Sequence, residues 1–278
     1  SYIASGLADM VLVSGAERYD SPGQILEWDN SRGEFKHPIF WASIFTKSYK
    51  REFCISDEQL ALVSVKNHKQ AKQNPNALSN ETFTIQDVMN SKKLTDDLKL
   101  LDCSRPCTGS ASILLASQEI AKKNTEIPIW ITGIGQKTTS AGFTKNTSFS
   151  SMESTKLAGH TALKMANHDT KDIDVAEVHD AFSVCEPMAL ESLGFSKSGS
   201  GTNMIKDLYE TNDFKINPRG GLIGAGHPLV ATGISQTIEI AQQLQSNAIN
   251  RQVDNAKIGL VHNMSAAATS STVLVLEK

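Results

Sequence analysis

The segment Asn217-Pro218-Arg219-Gly220-Gly221-Leu222-Ile223-Gly224-Ala225-Gly226-His227-Pro228 constrains this chain more than any other. Four glycines fall within seven residues, and His-Pro follows. Glycine adopts backbone conformations closed to other residues and lets main chain approach a neighbour or a ligand closely. Downstream, Ile234, Ile238, Ala241 and Leu244 recur at helical spacing over residues 229–244. A glycine-dense loop that opens onto a helix amino terminus favours developing negative charge. Around it, apolar runs alternate with helix-period stretches. Residues 127–133, 173–178, 258–261 and 272–276 read as strands, and 152–166 and 181–193 as helices, the second stopped by Gly194. This alternation predicts an α/β fold. The four strands are expected to share one mixed sheet with helices on both faces, and residues 217–228 to run as a loop over its edge.

The amino-terminal part is less regular. Residues 1–6 read as the tail of a helix stopped by Gly6, and Met10-Val11-Leu12-Val13 as a strand buried on both faces. Residues 18–97 change character and read as a loop or insertion domain laid over the core. Within them, 57–71 has helical spacing after a Ser56 cap with Gln59 three residues on. Ile113-Leu114-Leu115 resumes the core as a strand, 122–126 reads as an exposed linker, and a Ser/Thr-rich loop runs from Lys137 to Ser151. The expected division is 1–118 and 119–278.

Composition excludes several functions. A net charge of -3 and a pI near 6.2 give no basic footprint for nucleic acid and no polybasic membrane anchor. No apolar run approaches the roughly 20 residues of a bilayer span. Four cysteines (Cys54, Cys103, Cys107, Cys185) are too sparse for a disulfide scaffold, and the lone C-x3-C spacing of Cys103 and Cys107 predicts no metal site. A soluble, cytoplasmic enzyme domain is the expectation.

Three segments carry chemistry-bearing residues. Besides the glycine-rich loop with His227, a strand runs into His179-Asp180-Ala181-Phe182. Near the end, His262-Asn263-Met264-Ser265-Ala266-Ala267-Ala268 reads as a small-residue turn between strands. Any one of them alone reads more readily as a tight turn, a strand cap or a buried, hydrogen-bonded histidine than as a catalytic group. Together and in this order, they resemble the thiolase superfamily, above all the sterol-carrier-protein-2-type thiolases and archaeal acetoacetyl-CoA thiolases. His179-Asp180-Ala181-Phe182 is similar to that family's Asn-Glu-Ala-Phe or His-Asp-Cys-Phe motif. Asn217-Pro218-x-Gly220-Gly221 through Gly226-His227-Pro228 to Gly233 is similar to its most specific signature. Residues 8–17 resemble the strand after the nucleophile helix and 101–115 the last strand of the first half.

The resemblance implies a five-layered α/β/α/β/α thiolase fold with an incomplete first half. It implies an acyl-CoA C-acyltransferase that condenses or cleaves acetoacetyl-CoA or short 3-ketoacyl-CoA, with coenzyme A thioesters as substrates, no cofactor and a place in lipid metabolism. His179 and His227 would be catalytic, the first serving an oxyanion hole and the second activating a thiol. Asn263, Ser265 and Gly226 would supply oxyanion or backbone contacts. Phe182, Gly220, Gly221 and Pro228 would line the substrate site. The nucleophilic cysteine is expected upstream of Ser1, since none of the four cysteines has a matching context. The family's second cysteine is also absent, because Ala181 and His262-Asn263 stand at its two possible positions. His262 is therefore a candidate proton-transfer base. Cys185, a helical turn beyond Ala181, reads as a buried structural thiol. The alternative is a catalytically impaired acyl-CoA-binding or scaffolding subunit. Expected partners are a second copy in a homodimer or dimer of dimers, and a complex with a hydroxymethylglutaryl-CoA synthase and a zinc-ribbon/OB-fold protein.

Overall fold

The computed structural model describes residues 1–18, 38–139 and 148–278. Parts of the expected insertion (19–37) and of the Ser/Thr-rich loop (140–147) lie outside the described residues. The elements, in order, are β1 (Met10–Glu17), α1 (Pro38–Phe53), α2 (Asp57–Ala71), α3 (Ile85–Asn90), β2 (Gly109–Ala116), α4 (Gln118–Asn124), β3 (Trp130–Thr138), α5 (Glu153–Ala166), β4 (Val175–Glu177), α6 (Cys185–Leu193), α7 (Gly201–Thr211), α8 (Gly221–Ala225), α9 (Thr232–Leu244), β5 (Ile258–Met264) and β6 (Ser270–Glu277).

The four carboxy-terminal strands form one mixed sheet, as the sequence predicts. Its order is β3-β6-β5-β4, with β4 parallel to β5 and the other pairs antiparallel. Helix α5 covers one face at very short range. A Cβ on Gly135 would lie 1.9 Å from the Ala158 carbonyl oxygen, and one on Gly133 would lie 2.2 Å from that of Ala162. Helix α9 covers the other face, burying Ile240 and Leu244 with Val175, Val261 and Leu276. Beyond α9 lies the antiparallel pair β1–β2, where a Cβ on Gly15 would come 3.1 Å from Ile234 of α9. The stacking is thus helix, sheet, helix, sheet. Leu12 and Leu114, paired across β1 and β2, are exposed on the outer face. β1 therefore alternates in burial, which corrects the expectation of a strand buried on both faces.

Helices α1 and α2 are built into the core. Trp41, Phe45, Tyr49, Leu60 and Val63 share one cluster with Ala176, Val178 and Leu190. The Ser56–Gln59 capping box opens α2 as predicted. Three boundaries move. Residues 2–6 form turns rather than a helix end, α6 begins at Cys185, and α9 begins at Thr232. Residues 181–184 and 229–231 serve the loops that carry the site.

Candidate active site

Three stretches converge where β4 and β5 end. Glu177 pairs with Val261, so continuing that parallel register sets His179 beside Asn263. The amide nitrogen Nδ2 of Asn263 lies 3.1 Å from His179 Nδ1. His227, between α8 and α9, brings its ring to 5.1 Å from that of His179, edge to face at 84°. Both imidazoles are buried, with 6% and 8% of their surface exposed. Burial lowers the pKa of each: His227 falls to about 4, helped by the Arg219 guanidinium, and His179 falls well below its ordinary value, helped by His227, His262 and Arg219. Two neutral imidazoles therefore face each other near neutral pH.

The glycine-rich segment reaches this position along the free edge of the sheet. Lys215 accepts from the Ala176 N–H at 2.8 Å, and Asn217 donates to the Ala176 carbonyl at 2.8 Å. It is an edge loop as predicted, except that 221–225 coil into α8. Its glycines serve the protein interior. Gly221, at φ +58°, sits where a Cβ would be 2.2 Å from the Asp180 carboxylate, and Gly220, at φ +100°, where it would be 2.5 Å from Ala71. Asp180 accepts from the N–H groups of Leu222 (2.6 Å) and Ile223 (3.3 Å) and from Asn67 Nδ2 (2.7 Å). Burial, with the Glu186 carboxylate beside it, pushes Asp180 up, and the backbone donors offset part of this. The Gly226 N–H closes α8 on the Leu222 carbonyl. Gly220, Gly221 and Gly226 thus pack the loop against α2, Asp180 and α8.

Other expected site residues make contacts within the protein. Phe182 is buried edge-on against Trp41, with ring centroids 5.1 Å apart, and belongs to the core. The Ser265 N–H is bonded to the Ser270 carbonyl and its hydroxyl to Ser270 N and Thr269, so it closes the β5–β6 turn and offers no free donor. Ala267 and Ala268 complete that turn at positive φ. Pro228 is half-buried against Gly109.

His262 faces the opposite side of the sheet from Asn263. Its Nδ1 accepts from the His179 backbone N–H at 3.4 Å, which leaves the ring proton on Nε2, 3.1 Å from Thr155 Oγ1. From there hydroxyls run through Ser271 (2.9 Å) to Ser154 (2.8 Å), which donates to the Ala268 carbonyl at 2.6 Å. Every proton in this chain is committed. Burial lowers His262 to about 3. Within the protein, its ring holds the His179 main chain.

Residues that sequence reasoning missed lie behind the loop. Lys66 of α2 forms a buried ion pair with Glu186 at 2.7 Å and donates to the Ile216 carbonyl at 3.1 Å. Asn217 Nδ2 donates to Glu186 at 3.0 Å, while its Oδ1 accepts from Val178 N at 2.7 Å. Arg219 pairs with Glu177 at 2.9 Å. The signal was a charged residue inside an apolar run, as in Val175-Ala176-Glu177-Val178. Cys107 was missed as well. A Cβ on Gly226 would lie 2.9 Å from its sulfur, so the thiol rests against the Gly226-His227 main chain, and burial pushes its pKa up. Cys54 is exposed, and burial raises Cys103, to about 12, and Cys185.

Comparison with known proteins agrees with this layout. The family described as Thiolase C-terminal domain-like matches residues 135–278. The chain belongs to the thiolase family. Acetyl-CoA acetyltransferase of Methanothermobacter thermautotrophicus is 34% identical over 285 residues, covering 99% of this chain and 74% of that protein. Sterol carrier protein 2 of Gallus gallus is 31% identical, over 94% of this chain and 52% of its own length. Among solved structures, the Ltp2-ChsH2(DUF35) aldolase superposes with a TM-score of 0.85 at 22% identity, covering 99% of this chain and 74% of that one. The thiolase relatives support a thiolase-type enzyme and a partial thiolase fold. Among the described residues, no helix is long and apolar enough to cross a membrane.

Proposed function

We propose that this thiolase makes or breaks the carbon–carbon bond next to a coenzyme A thioester, acting on acetoacetyl-CoA or another short 3-ketoacyl-CoA. The observation that carries this reading is the pair of neutral imidazoles, His179 and His227, facing each other 5.1 Å apart under the α9 amino terminus. When the bond at the α-carbon forms or breaks, negative charge collects on the thioester oxygen and a proton must move. A fixed donor in a buried site stabilises that oxygen strongly, and a neutral imidazole offers a ring nitrogen that can accept the proton. His179 serves as the donor and His227 as the acceptor. Acyl transfer also requires a thiolate, and burial pushes up the pKa of Cys107, whose thiol rests against the Gly226-His227 main chain.

A second reading has its own support. Ala181 replaces a proton-shuttling cysteine, and cleavage of a 3-hydroxyacyl-CoA by a retro-aldol route needs no acyl-enzyme. The β-hydroxyl would give its proton to His227 while the departing enolate oxygen is held by His179. The similar Ltp2-ChsH2(DUF35) structure is an aldolase with a second protein, so a partner subunit is proposed alongside acyl-CoA.

Intact-mass spectrometry after mixing with acetoacetyl-CoA, with deuterium exchange into acetyl-CoA in heavy water, separates the readings. A mass gain of one acetyl group with exchange supports acyl transfer. Exchange without any adduct supports the cysteine-free route. No exchange, with wild-type protein that binds acetyl-CoA, overturns both and leaves an acyl-CoA-binding subunit.

A further inference from the structure

Two hydrogen-bond relays end beneath the imidazole pair, each on a backbone carbonyl, and a carbonyl oxygen can only accept. The first begins at Pro228. Thr232 Oγ1 lies 3.0 Å from the Pro228 carbonyl oxygen and 2.7 Å from His227 Nδ1. A hydroxyl has one proton, and two facing oxygens 3.0 Å apart need it between them. The Thr232 hydroxyl therefore donates to Pro228 and accepts from His227, so the proton of neutral His227 sits on Nδ1. Its Nε2 carries a lone pair and has no bond among the described residues.

The second relay begins at the His262 carbonyl. Gln236 Nε2 donates to it at 3.4 Å, which turns Gln236 Oε1 towards Asn263. Asn263 must then present its NH2 group to Gln236 Oε1, at 2.9 Å, and the same NH2 meets His179 Nδ1 at 3.1 Å. An NH2 group has two protons and both are placed. His179 Nδ1 therefore accepts, and the ring proton sits on Nε2.

The geometry points to Thr232, Gln236 and Asn263 as positioning residues that hold the two imidazoles in opposite tautomers, His227 with a free Nε2 lone pair and His179 with an Nε2–H. This rests on the reading of the pair as proton acceptor and oxyanion donor, and supplies its physical basis: neither ring changes tautomer without breaking a relay anchored on main chain. Ring tautomers are set by such partners at the other nitrogen. Helix α9 supplies Thr232 and Gln236, four residues apart on one face, so one helix sets both rings.

Long-range 1H–15N correlation of the histidine side chains tests this without any assumption about turnover. In the wild-type protein at pH 7, His227 is expected to show a protonated, pyrrole-type Nδ1 and a pyridine-type Nε2, with His179 the reverse. Thr232→Val removes the acceptor and should move the His227 proton to Nε2, whereas Thr232→Ser should leave the wild-type pattern. Gln236→Glu keeps the acceptor oxygen facing Asn263 and should preserve the His179 pattern, whereas Asn263→Leu removes the donor and should release it. The same tautomer on both rings of the wild-type protein would overturn the inference, as would an unchanged His227 in Thr232→Val. A protein that shows the expected tautomers yet exchanges no α-proton would leave this inference standing and remove the proposed function.

Discussion

Replacing Lys66 with methionine tests whether the glycine-rich loop is anchored by buried charge. Lys66 and Glu186 are 1% and 0% exposed in their side chains and 2.7 Å apart. Lys66 also holds the Ile216 carbonyl, one residue before the loop. Methionine keeps the length of the side chain and its apolar stem, so core volume changes little. What is lost is the partner of a buried carboxylate, and removing one member of a buried pair costs about 3–5 kcal/mol. At roughly 2–4 °C per kcal/mol for a large domain, the melting temperature should fall by about 6–20 °C. Lys99→Met is the control. Its partner Asp57 is 3.3 Å away and 35% exposed, and such surface pairs contribute about 0–1 kcal/mol. The double variant Lys66→Met/Glu186→Gln should recover at least half the loss, because Asn67 (2.7 Å) and Asn217 (3.0 Å) can still donate to an amide oxygen. Urea unfolding followed by circular dichroism measures all three. A loss for Lys66→Met no larger than the Lys99→Met control would refute the anchoring argument.

Other perturbations probe separate parts of the architecture. Gly221→Ala places a Cβ 2.2 Å from the Asp180 carboxylate at φ +58°, so its urea midpoint should drop by the equivalent of about 3 kcal/mol or more. Gly135→Ala forces α5 off the sheet at the Ala158 carbonyl, and should cost about 2–3 kcal/mol by the same assay while protecting fewer β3 amides from hydrogen exchange. His262 titrates at about 3 when folded, below its ordinary 6.5. The unfolded chain thus binds its proton first, and stability present above pH 6.5 is lost as pH falls towards 3. His262→Gln should flatten the acid limb between those values by about 1.4 kcal/mol per pH unit; parallel unfolding curves for the two proteins at pH 6.5, 5.5 and 4.5 would contradict this.

Strand and helix patterns in the carboxy-terminal half were legible because burial there follows chain periodicity: β5 and β6 alternate or run apolar, and α5 presents small residues to β3. Helices α1 and α7 were not read, although α1 buries Trp41, Phe45 and Tyr49 at four-residue spacing and α7 buries Ile205 and Leu208 three residues apart. The convergence of His179, His227 and Asn263 was legible from motif order. The facing direction of each side chain was not. Adjacent residues of a strand point to opposite faces, so His262 and Asn263 could not both reach the cleft, and only the register of β5 against β4 decides which one does. Glycine told a similar half-truth. It marks a close approach of backbone, and whether the approaching group is a ligand or the protein's own Asp180 depends on α2, which contacts the loop from 150 residues away in sequence. A polar residue in an apolar run was the better guide. Glu177 and Lys66 could be buried only with partners, and those partners, Arg219 and Glu186, flank the loop and the His179 turn. Charge that must be paired in the core thus ties the motifs together, and it fixes the start of the loop, at Ile216, Asn217 and Arg219, that leads to His227.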